Sequence, residues 1–533
     1  MGKKFKELND QDLELIKQIY LEKDGLPWEK RAANLGNMFD VSERTIRKWC
    51  SEKLGFKEKV DINSEQYENA KKRKLNKDKD RFIITWAQNN TPIHEQFFNN
   101  IKTYAEFINA DIHVIAGRYK NPTSVFSDEE QEHWDKRVVE YLDANRHDVH
   151  KYLSIMSDIK IQPTATNPMS GLQGVSGINS CVFGAPKVQM EMIPVLEGNK
   201  PKAMFTTGSV TKKNYTDSKS GKKGEFHHTF GFVIIEIGDD DTFYFRQVTA
   251  DDKTGSFNDL FYKVDNNGVT KIDQIEAIVF GDIHYGNHDQ DVIDATHGML
   301  KNIKPNHVIL HDVFDGISIN HHEMNDPFIQ YAKEIHGTND LGKELDIMMT
   351  GLESFKDYKN VVIVRSNHDD FLDRWLKNGD WKKQPTYKNS RLYMKLSDLL
   401  LEQYEKTPHK VKGVIPALIN EKYPKYITLG RSDSYRVKNW ELGQHGDYGT
   451  NGSRGSLNQF RNLNTKIIVG HYHAPGRKDG ALAVGTSTKL RMGYNSGASS
   501  WLQSHVIIHK DGRAQHINFL KENNKMGFTT FKY

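Results

Sequence analysis

Short runs of branched apolar residues recur through the second half of the chain, and each is followed at once by polar residues. The runs cover residues 277–280, 307–310, 361–364 and 467–469. Their length predicts buried β-strands, and the repeated order of strand, charged loop and helix predicts an α/β fold. Because ligand crevices in α/β sheets lie at the carboxyl ends of the strands, we expect the four polar loops to meet at one site.

The middle of the chain shows a second α/β pattern. Residues 82–86 and 112–116 are predicted strands on either side of an amphipathic helix over 93–108, which indicates one βαβ-like unit. A further strand is predicted over 231–237. The glycines here lack the spacing of a phosphate loop or a dinucleotide site. We therefore predict an α/β accessory domain over residues 81–273, whose role the sequence does not indicate.

The first 60 residues have the spacing of short helices. Ser42 is a good N-cap for a helix that buries Ile46 and Trp49. That helix presents three basic residues outward, namely Arg44, Arg47 and Lys48. A helix, a tight turn and a second helix of this kind resemble a helix-turn-helix unit, which predicts DNA contacts by these residues. Three-helix modules also bind proteins, so a role in assembly is the alternative.

The predicted domain order follows from these patterns. Residues 1–60 form a helix-turn-helix-like domain, and the polar, Lys-rich stretch 61–80 is a linker. The α/β accessory domain covers 81–273, and a catalytic α/β domain covers 274–533. A chain of 533 residues is too long for one core, which agrees with several domains.

Composition places few limits on function. The net charge of +4 is small for this length and does not identify a partner. The chain has two cysteines, Cys50 and Cys181, in unrelated contexts. This argues for a reducing compartment and against a thiolate-ligated metal. No apolar run is long enough to span a bilayer, and the N-terminus lacks the apolar core of a secretory signal. We expect a cytoplasmic protein that makes no membrane contact.

Five polar motifs follow one another in the last half of the chain. They are Asp-x-His at 282–284, Asp-x-x-Asp at 312–315, Asn-His-Asp at 367–369, His445, and Gly-His-x-His at 470–473. Imidazole, carboxylate and amide ligands without thiolate favour Mn²⁺ or iron over Mg²⁺. In a two-metal site one carboxylate lies between cations about 3.5–4 Å apart, and a water held by them becomes the nucleophile.

In this order the motifs resemble those of the calcineurin-like metallophosphoesterase family. The resemblance implies a β-sandwich flanked by helices in the catalytic domain, and two divalent metal ions per chain, with Mn²⁺ favoured and Mg²⁺ or iron as alternatives. It implies that the first metal is bound by Asp282, His284, Asp312 and His473. It implies that the second is bound by Asp312, Asn367, His445 and His471, so that Asp312 bridges the two.

The resemblance also implies roles next to the metals. His368 is the candidate general acid, with Asp369 orienting its ring and Asp315 supporting a metal ligand. His311 and Ser366 stand where the family usually has glycine, which changes two tight turns. A further Asn-His-Asp triplet at 287–289 follows Asp282 with no intervening strand, so we assign it to the first loop.

The metal core alone does not select the substrate, because the family cleaves phosphoprotein, nucleotide and nucleic-acid esters. The helix-turn-helix-like domain favours duplex DNA, as in the double-strand-break-repair nucleases of the family. The arrangement also resembles phage-encoded members, which implies a homo-oligomeric, Mn²⁺-dependent DNase that degrades host DNA in the bacterial cytoplasm. The alternatives are a phosphomonoesterase or cyclic-nucleotide phosphodiesterase with a helical assembly module, and a DNA-binding regulator with a vestigial enzyme domain.

Overall fold

The computed structural model describes residues 4–21, 28–54, 64–76, 78–121, 124, 132–493 and 495–531. Over these residues the protein is a mixed α/β chain with several sheets. It divides into two compact units, Met1–Ser64 and Glu65–Tyr533. No helix within the described ranges has both the length and the apolar character needed to cross a membrane.

The first unit is helical. Its helices are Asp10–Leu21, Trp28–Phe39 and Glu43–Lys48, and a π-helical turn follows at Trp49–Lys53. The predicted cap is confirmed, because the Ser42 hydroxyl accepts a hydrogen bond from the Thr45 N–H at 3.2 Å. Ile46 and Trp49 are buried, as predicted. They share a small core whose other fully buried members are Ile16, Ala32, Leu35, Phe39 and Cys50.

The stretch predicted as a linker, residues 61–80, differs in the structure. The helix Glu65–Ala70 belongs to the second unit, while residues 61–63 and 77 lie outside the described residues. Tyr67 on this helix is buried and stacks on Trp134 with ring centres 5.8 Å apart. The Arg118 guanidinium lies 3.6 Å from the centre of the Tyr67 ring. One aromatic anchor with a cation over its face is enough to dock a segment that is otherwise polar.

The predicted βαβ unit is confirmed. Strands Arg81–Gln88 and Asp111–Gly117 pair in parallel and the helix Glu95–Ile108 connects them. They belong to a five-stranded sheet with the order Thr242–Thr249, Gly231–Asp239, Arg81–Gln88, Asp111–Gly117, Leu142–Asp143.

A six-stranded sheet holds three of the four predicted C-terminal strands. Its order is Ile427–Thr428, Val361–Val364, Lys304–His311, Gln274–Val279, Ser504–Ile508, Ala514–Asn518. The first four strands run in parallel and the last two are antiparallel additions. The run at 277–279 shows how the sheet is covered on both faces. Ile278 packs with the helices, whereas Ala277 and Val279 face a second sheet, because alternate side chains of a strand point to opposite faces.

The second sheet has ten strands and takes them from both predicted α/β domains. Its order is Arg436–Val437, Trp440–Glu441, Lys466–Val469, Ala481–Ala483, Gly476–Lys478, Gln189–Ile193, Lys202–Thr206, Ser180–Phe183, Leu153–Met156, Arg146–His150. One buried cluster contains Ile468 and Leu482 from this sheet together with Val362 and Val506 from the six-stranded sheet, so the two sheets pack face to face. Because Arg477 pairs with Met190 in this sheet, the predicted boundary at residues 273 and 274 does not separate compact units.

The remaining helices of the second unit cover the outside of the sheets or lie in the loops. They are Lys219–His227, Gln290–Asn302, Pro327–His336, Leu341–Glu353, Asp369–Asn378, Tyr387–Lys406, Val414–Lys422 and Leu457–Phe460. There are also two small sheets, one of Phe257–Asp259, Tyr262–Asp265 and Gly268–Lys271, and one of Leu520–Glu522 and Lys525–Gly527. Short 3₁₀ helices lie at Phe5–Glu7, Val139–Tyr141, Ile317–Ile319, Trp381–Lys383 and Thr450–Gly452.

Candidate metal centre

The polar motifs meet where the two face-to-face sheets end. Strands Gln274–Val279, Lys304–His311 and Val361–Val364 lead into the loops at 282–284, 312–315 and 367–369. The strand Lys466–Val469, which leads into 470–473, lies in the ten-stranded sheet. The loops therefore converge as expected, but from two sheets and not from the single α/β sheet that the sequence pattern indicated.

Four of the converging residues have a left-handed backbone. The φ angles are 48° at His284, 50° at Asp312, 75° at His471 and 55° at His473. For a residue with a Cβ atom this conformation costs about 1–3 kcal/mol and persists only where the surrounding structure enforces it. Such residues concentrate at functional sites, so the backbone marks this place independently of the side chains.

One group of side chains contains Asp282, His284, Asp312 and His473, all buried, with one ligand atom of each within 4.8 Å of the others. The Nε2 atoms of His284 and His473 are 3.1 Å apart. His473 Nε2 lies 3.1 Å from Asp282 Oδ2, and His284 Nε2 lies 3.2 Å from Asp312 Oδ2. This is the group that the resemblance implies for the first metal.

A second group shares Asp312. His445 Nε2 lies 3.4 Å from the same Oδ2 atom of Asp312 and 3.2 Å from Asn367 Oδ1. His471 Nδ1 lies 3.2 Å from Asn367 Oδ1 as well. All seven side chains that the resemblance implies as ligands are therefore together, and Asp312 Oδ2 belongs to both groups.

The contacts fit metal ligands better than a hydrogen-bond network. A neutral His284 ring that donates from Nδ1 to Asp315 has an acceptor at Nε2, and this atom faces Asp312 Oδ2, a second acceptor, at 3.2 Å. Ligand atoms about 2.1 Å from one cation are about 3.0 Å apart along the edge of an octahedron, close to the distances found here. The Oδ1 atoms of Asp282 and Asp312 are buried without a hydrogen-bond partner among the described residues, a costly arrangement unless a cation compensates it.

Opposite charges are concentrated in the two groups. Burial would raise the pKa of Asp282, but a hydrogen bond from His473 and the neighbouring histidines lower it to about 2. Burial would lower the pKa of His445, but Asp312 raises it to about 9. Burial and the charge on His445 lower the pKa of His471 to about 4. The carboxylates are thus charged at neutral pH, and a metal ion must displace a proton from His445.

Asp315 holds two of the histidines. Its Oδ1 atom lies 3.0 Å from His284 Nδ1, which directs the other ring nitrogen of His284 towards the metal group. Its Oδ2 atom accepts a hydrogen bond from the Asn287 amide at 2.8 Å. Its backbone carbonyl accepts one from His368 Nδ1 at 2.5 Å. Asn287 of the additional triplet therefore connects the first loop to Asp315, while His288 is half-buried and bonds to Gln290 of the following helix.

The interpretation of Asp369 needs correction. The carboxylate of Asp369 accepts a hydrogen bond from the Ser366 N–H at 2.9 Å and thereby closes the loop around Asn367. The His368 ring is oriented by the Asp315 carbonyl, and it packs against Phe371 with ring centres 4.7 Å apart. Asp369 begins a helix directly after His368, so its side chain turns back towards the preceding loop.

Sequence reasoning missed an ion-pair network beside the second group. Arg431 donates two hydrogen bonds to Asp447, at 2.8 and 2.9 Å, and others to Asp370. Asp370 in turn accepts from Arg365 at 2.9 Å. The network links the loop that carries Asn367 to the loop that carries His445. The sequence contains one indication of this network, which is an acidic residue shortly after each of the two motifs, namely Asp370 and Asp447.

His311 and Gly470 shape the bottom of the site. His311 is buried beside His445, with Nδ1 atoms 3.4 Å apart, and burial lowers its pKa to about 3. A Cβ atom on Gly470 would lie 2.3 Å from Asp282 Oδ1 and 3.0 Å from the His311 ring. Position 470 has no room for a side chain, because Asp282 and His311 lie so close to its backbone. The glycine at this position therefore leaves space for the His311 ring.

The candidate DNA-binding residues lie on one short helix of the first unit. Arg44 and Lys48 are exposed, one helical turn apart. Arg47 is half-buried and forms an ion pair with Glu43. Arg44 and Lys48 are therefore the more exposed cations of the three.

Comparisons with known proteins identify one relationship. No family model matches the sequence, and no solved structure matches it. Protein A1 of Escherichia phage T5 is 32% identical over 463 residues, which cover 82% of this chain and 82% of that protein. The expected relationship to a phage protein is confirmed, while the resemblance to metallophosphoesterases stays a prediction. The chain belongs to the same protein family as Protein A1 of Escherichia phage T5.

Proposed function

We propose that this protein is a phosphoesterase that uses two divalent metal ions, Mn²⁺ in preference to Mg²⁺ or iron, to hydrolyse DNA phosphodiester bonds. The observation that carries the proposal is Asp312 Oδ2, which lies 3.2 Å from the nitrogen of His284 and 3.4 Å from that of His445. A carboxylate oxygen shared in this way between two ligand groups is the arrangement that a two-metal site requires.

Bound metal ions would supply Lewis acidity and an activated water. The protein's own part is to hold the ligands and to move a proton. Because His368 Nδ1 donates to the Asp315 carbonyl, the Nε2 atom of His368 is left to face the substrate. A protonated His368 can then donate its Nε2 proton to the leaving oxygen of the ester. Its ring is half-buried between Phe371 and His284, which fixes its direction.

Positive charge beside the centre supports a polyanionic substrate. Arg374 and Lys377 are exposed on the helix Asp369–Asn378, which begins directly after His368. They line an open cavity of about 400 Å³ together with Arg365 and Arg431. Cations at this position would attract the phosphates that flank the cleaved bond. In the first unit, Arg44 and Lys48 would bind the backbone of duplex DNA, and we propose a homo-oligomer that acts on host DNA in the bacterial cytoplasm.

The test is degradation of circular plasmid DNA with Mn²⁺, with and without a chelator. We expect Asp312→Asn to abolish the activity, because the substitution removes the negative charge of the ligand that the two metals would share. Asp294→Asn is the matched control, because Asp294 is exposed and accepts a hydrogen bond from the Gln290 amide on its own helix. Full activity of Asp312→Asn would refute the mechanism. Hydrolysis of small aryl phosphates with plasmid left intact would support the phosphomonoesterase alternative.

The role of His368 has its own test. General-acid catalysis contributes about 10²–10⁴-fold when the leaving group is poor. We expect His368→Asn to reduce DNA cleavage by a factor in this range. The same variant should cleave bis(p-nitrophenyl) phosphate at nearly the wild-type rate, because nitrophenolate leaves without protonation. Equal losses on both substrates would exclude proton donation by His368.

A further inference from the structure

A second polar cavity lies away from the metal centre. It has a volume of about 620 Å³ and lies against the amino end of the strand Lys466–Val469, whose carboxyl end leads to the metal loops. The four steps along the strand from Lys466 to Gly470 span about 13 Å at 3.3 Å per residue. Five basic residues line the cavity, namely Lys187, Arg461, Lys466, Arg477 and Arg513. Three acidic residues line it as well, namely Asp252, Asp479 and Asp511.

Three of the five cations have carboxylate partners. Lys187 Nζ lies 2.7 Å from Asp479 Oδ1, and Arg461 Nε lies 3.5 Å from Asp479 Oδ2. Arg513 forms ion pairs with Asp511 at 2.7 Å and with Asp251 at 2.9 Å. These three cations are therefore held in two groups of ion pairs, one on Asp479 and one on Asp511 and Asp251.

Lys466 and Arg477 interact with carboxylates of the cavity through their charges, Asp252 acting on Lys466 and Asp479 acting on Arg477. Within the described part of the chain neither side chain has a hydrogen bond or an ion pair, and the Arg477 Nε atom is buried. Lys466 Nζ has only the Trp440 ring, 5.5 Å from its centre. Burial lowers the pKa of Arg477 to about 10, and burial together with the charge of Arg477 lowers the pKa of Lys466.

The register of the sheet places these two cations on one face. Arg477 pairs with Leu482, and Leu482 pairs with Ile468, so the three lie in one row across the sheet. Lys466 precedes Ile468 by two positions and so lies on the same face. Leu482 and Ile468 belong to the apolar core between the sheets. Lys466 is exposed and Arg477 is half-buried, so this row of the sheet ends where it opens into the cavity, and the two cations line one wall of the cavity.

The mouth of the cavity carries an aromatic side chain. Phe226 lines the cavity and is 82% exposed. An exposed ring at the entrance of a cationic cavity offers a face on which a nucleobase can stack. The volume falls within the range of about 300–1,000 Å³ that is typical of small-molecule sites.

We propose that this cavity binds a nucleoside monophosphate, with the phosphate between Lys466 and Arg477 and the base on Phe226. The site is separate from the metal centre and does not depend on the function proposed for that centre. The phosphate would accept hydrogen bonds from the two cations, which have no such partner within the described part of the chain, and the base would cover the exposed Phe226 ring.

The test is equilibrium binding of deoxyadenosine monophosphate to the full chain in the presence of a chelator, by calorimetry. We expect binding that Lys466→Met and Arg477→Met each weaken by about tenfold or more, because each removes a charged partner of the phosphate. Phe226→Ala should weaken the nucleotide but leave inorganic phosphate unchanged. Lys425→Met is the control, since Lys425 is exposed and outside the cavity. Asp312→Asn should bind as the wild type does.

Three results would overturn the proposal. The first is no binding of the nucleotide or of phosphate at millimolar concentration. The second is binding that Asp312→Asn abolishes and Lys466→Met does not, which would put the anion in the metal centre. The third is equal affinity for phosphate and nucleotide with no effect of Phe226→Ala, which would remove the nucleoside from the site. Lys466→Met keeps the test valid if Arg477→Met fails to fold.

Discussion

Asp315 offers a graded test of the metal centre, because its side chain contacts a candidate ligand without being one. The carboxylate holds His284 at 3.0 Å and accepts from Asn287 at 2.8 Å. Loss of a partner that orients a metal-bound imidazole costs about 10–100-fold in metal affinity. At about 1.4 kcal/mol per factor of ten, this is about 1.4–2.8 kcal/mol.

Two substitutions of Asp315 should reduce the Mn²⁺ affinity by amounts at the two ends of this range. In Asp315→Asn one amide oxygen still accepts from His284, and Asn287 can rotate its own amide to accept from the new NH₂ group. We expect a loss of Mn²⁺ affinity of about tenfold. Asp315→Ala leaves both partners without an acceptor, so we expect about 100-fold. Neither change touches the carbonyl that holds His368.

A competing effect of protons sets the pH dependence. Burial would lower the pKa of His284, but Asp312 and Asp315 raise it well above its ordinary value. A metal must therefore displace a proton that Asp315 helps to retain, and this penalty falls as pH rises. The affinity lost in Asp315→Ala should be larger at about pH 8.5 than at about pH 6.5.

The assay is Mn²⁺ titration by calorimetry at both pH values, with Asp294→Asn as the control carboxylate. Wild-type affinity in Asp315→Ala at both pH values would refute the reasoning that His284 is a ligand directed by Asp315. An affinity loss that shrinks as pH rises would show that the sign of the proton competition is wrong.

Three further predictions concern stability and the first unit. Arg431→Met should lower the free energy of unfolding by about 2 kcal/mol in urea, because Asp447 loses its bidentate partner in a half-buried network, and the exposed Arg454→Met should not. Burial lowers the pKa of His505 from 6.5 to about 3, and its Nδ1 accepts from the Gly281 N–H. The neutral ring therefore stabilises the fold above about pH 6.5. The wild type should lose about 5 kcal/mol relative to His505→Gln as pH falls from 6.5 to 3, and a constant difference in urea unfolding across this range would contradict the assignment. Deletion of residues 1–64 should weaken DNA binding and flatten its salt dependence while small-ester hydrolysis persists, and unchanged DNA affinity would remove the role given to the helical unit.

The polar loops could be predicted because their signal is local. An apolar run followed by His, Asp or Asn defines both a strand and the residue at its end, as at Val364 and Asn367. What the run does not encode is its partner strand. The run at 467–469 consists of Ile and Val, as does that at 361–364, yet it pairs within the ten-stranded sheet. Assignment to a sheet depends on contacts between distant segments, which one sequence does not display.

The predictions that the structure corrects failed for the same reason, because they too depend on contacts between distant segments. Tyr67 docks the stretch predicted as a linker by stacking on Trp134, a partner 67 positions away in the sequence. The His368 ring is held by the backbone carbonyl of Asp315, and every residue has a carbonyl, so composition cannot mark this acceptor. Lys466 and Arg477 are 11 positions apart in the sequence, and only the register of the sheet brings them to one wall of the same cavity.

The location of the centre explains why it tolerates strain. The left-handed residues His284 and Asp312 follow strands of one sheet, while His471 and His473 follow a strand of the other. No single loop favours such a conformation on its own, since each costs about 1–3 kcal/mol. The shared core between the sheets holds all four in place at once. The ligand groups can therefore be complete only after both sheets have packed together, so folding of the sandwich must precede high-affinity metal binding.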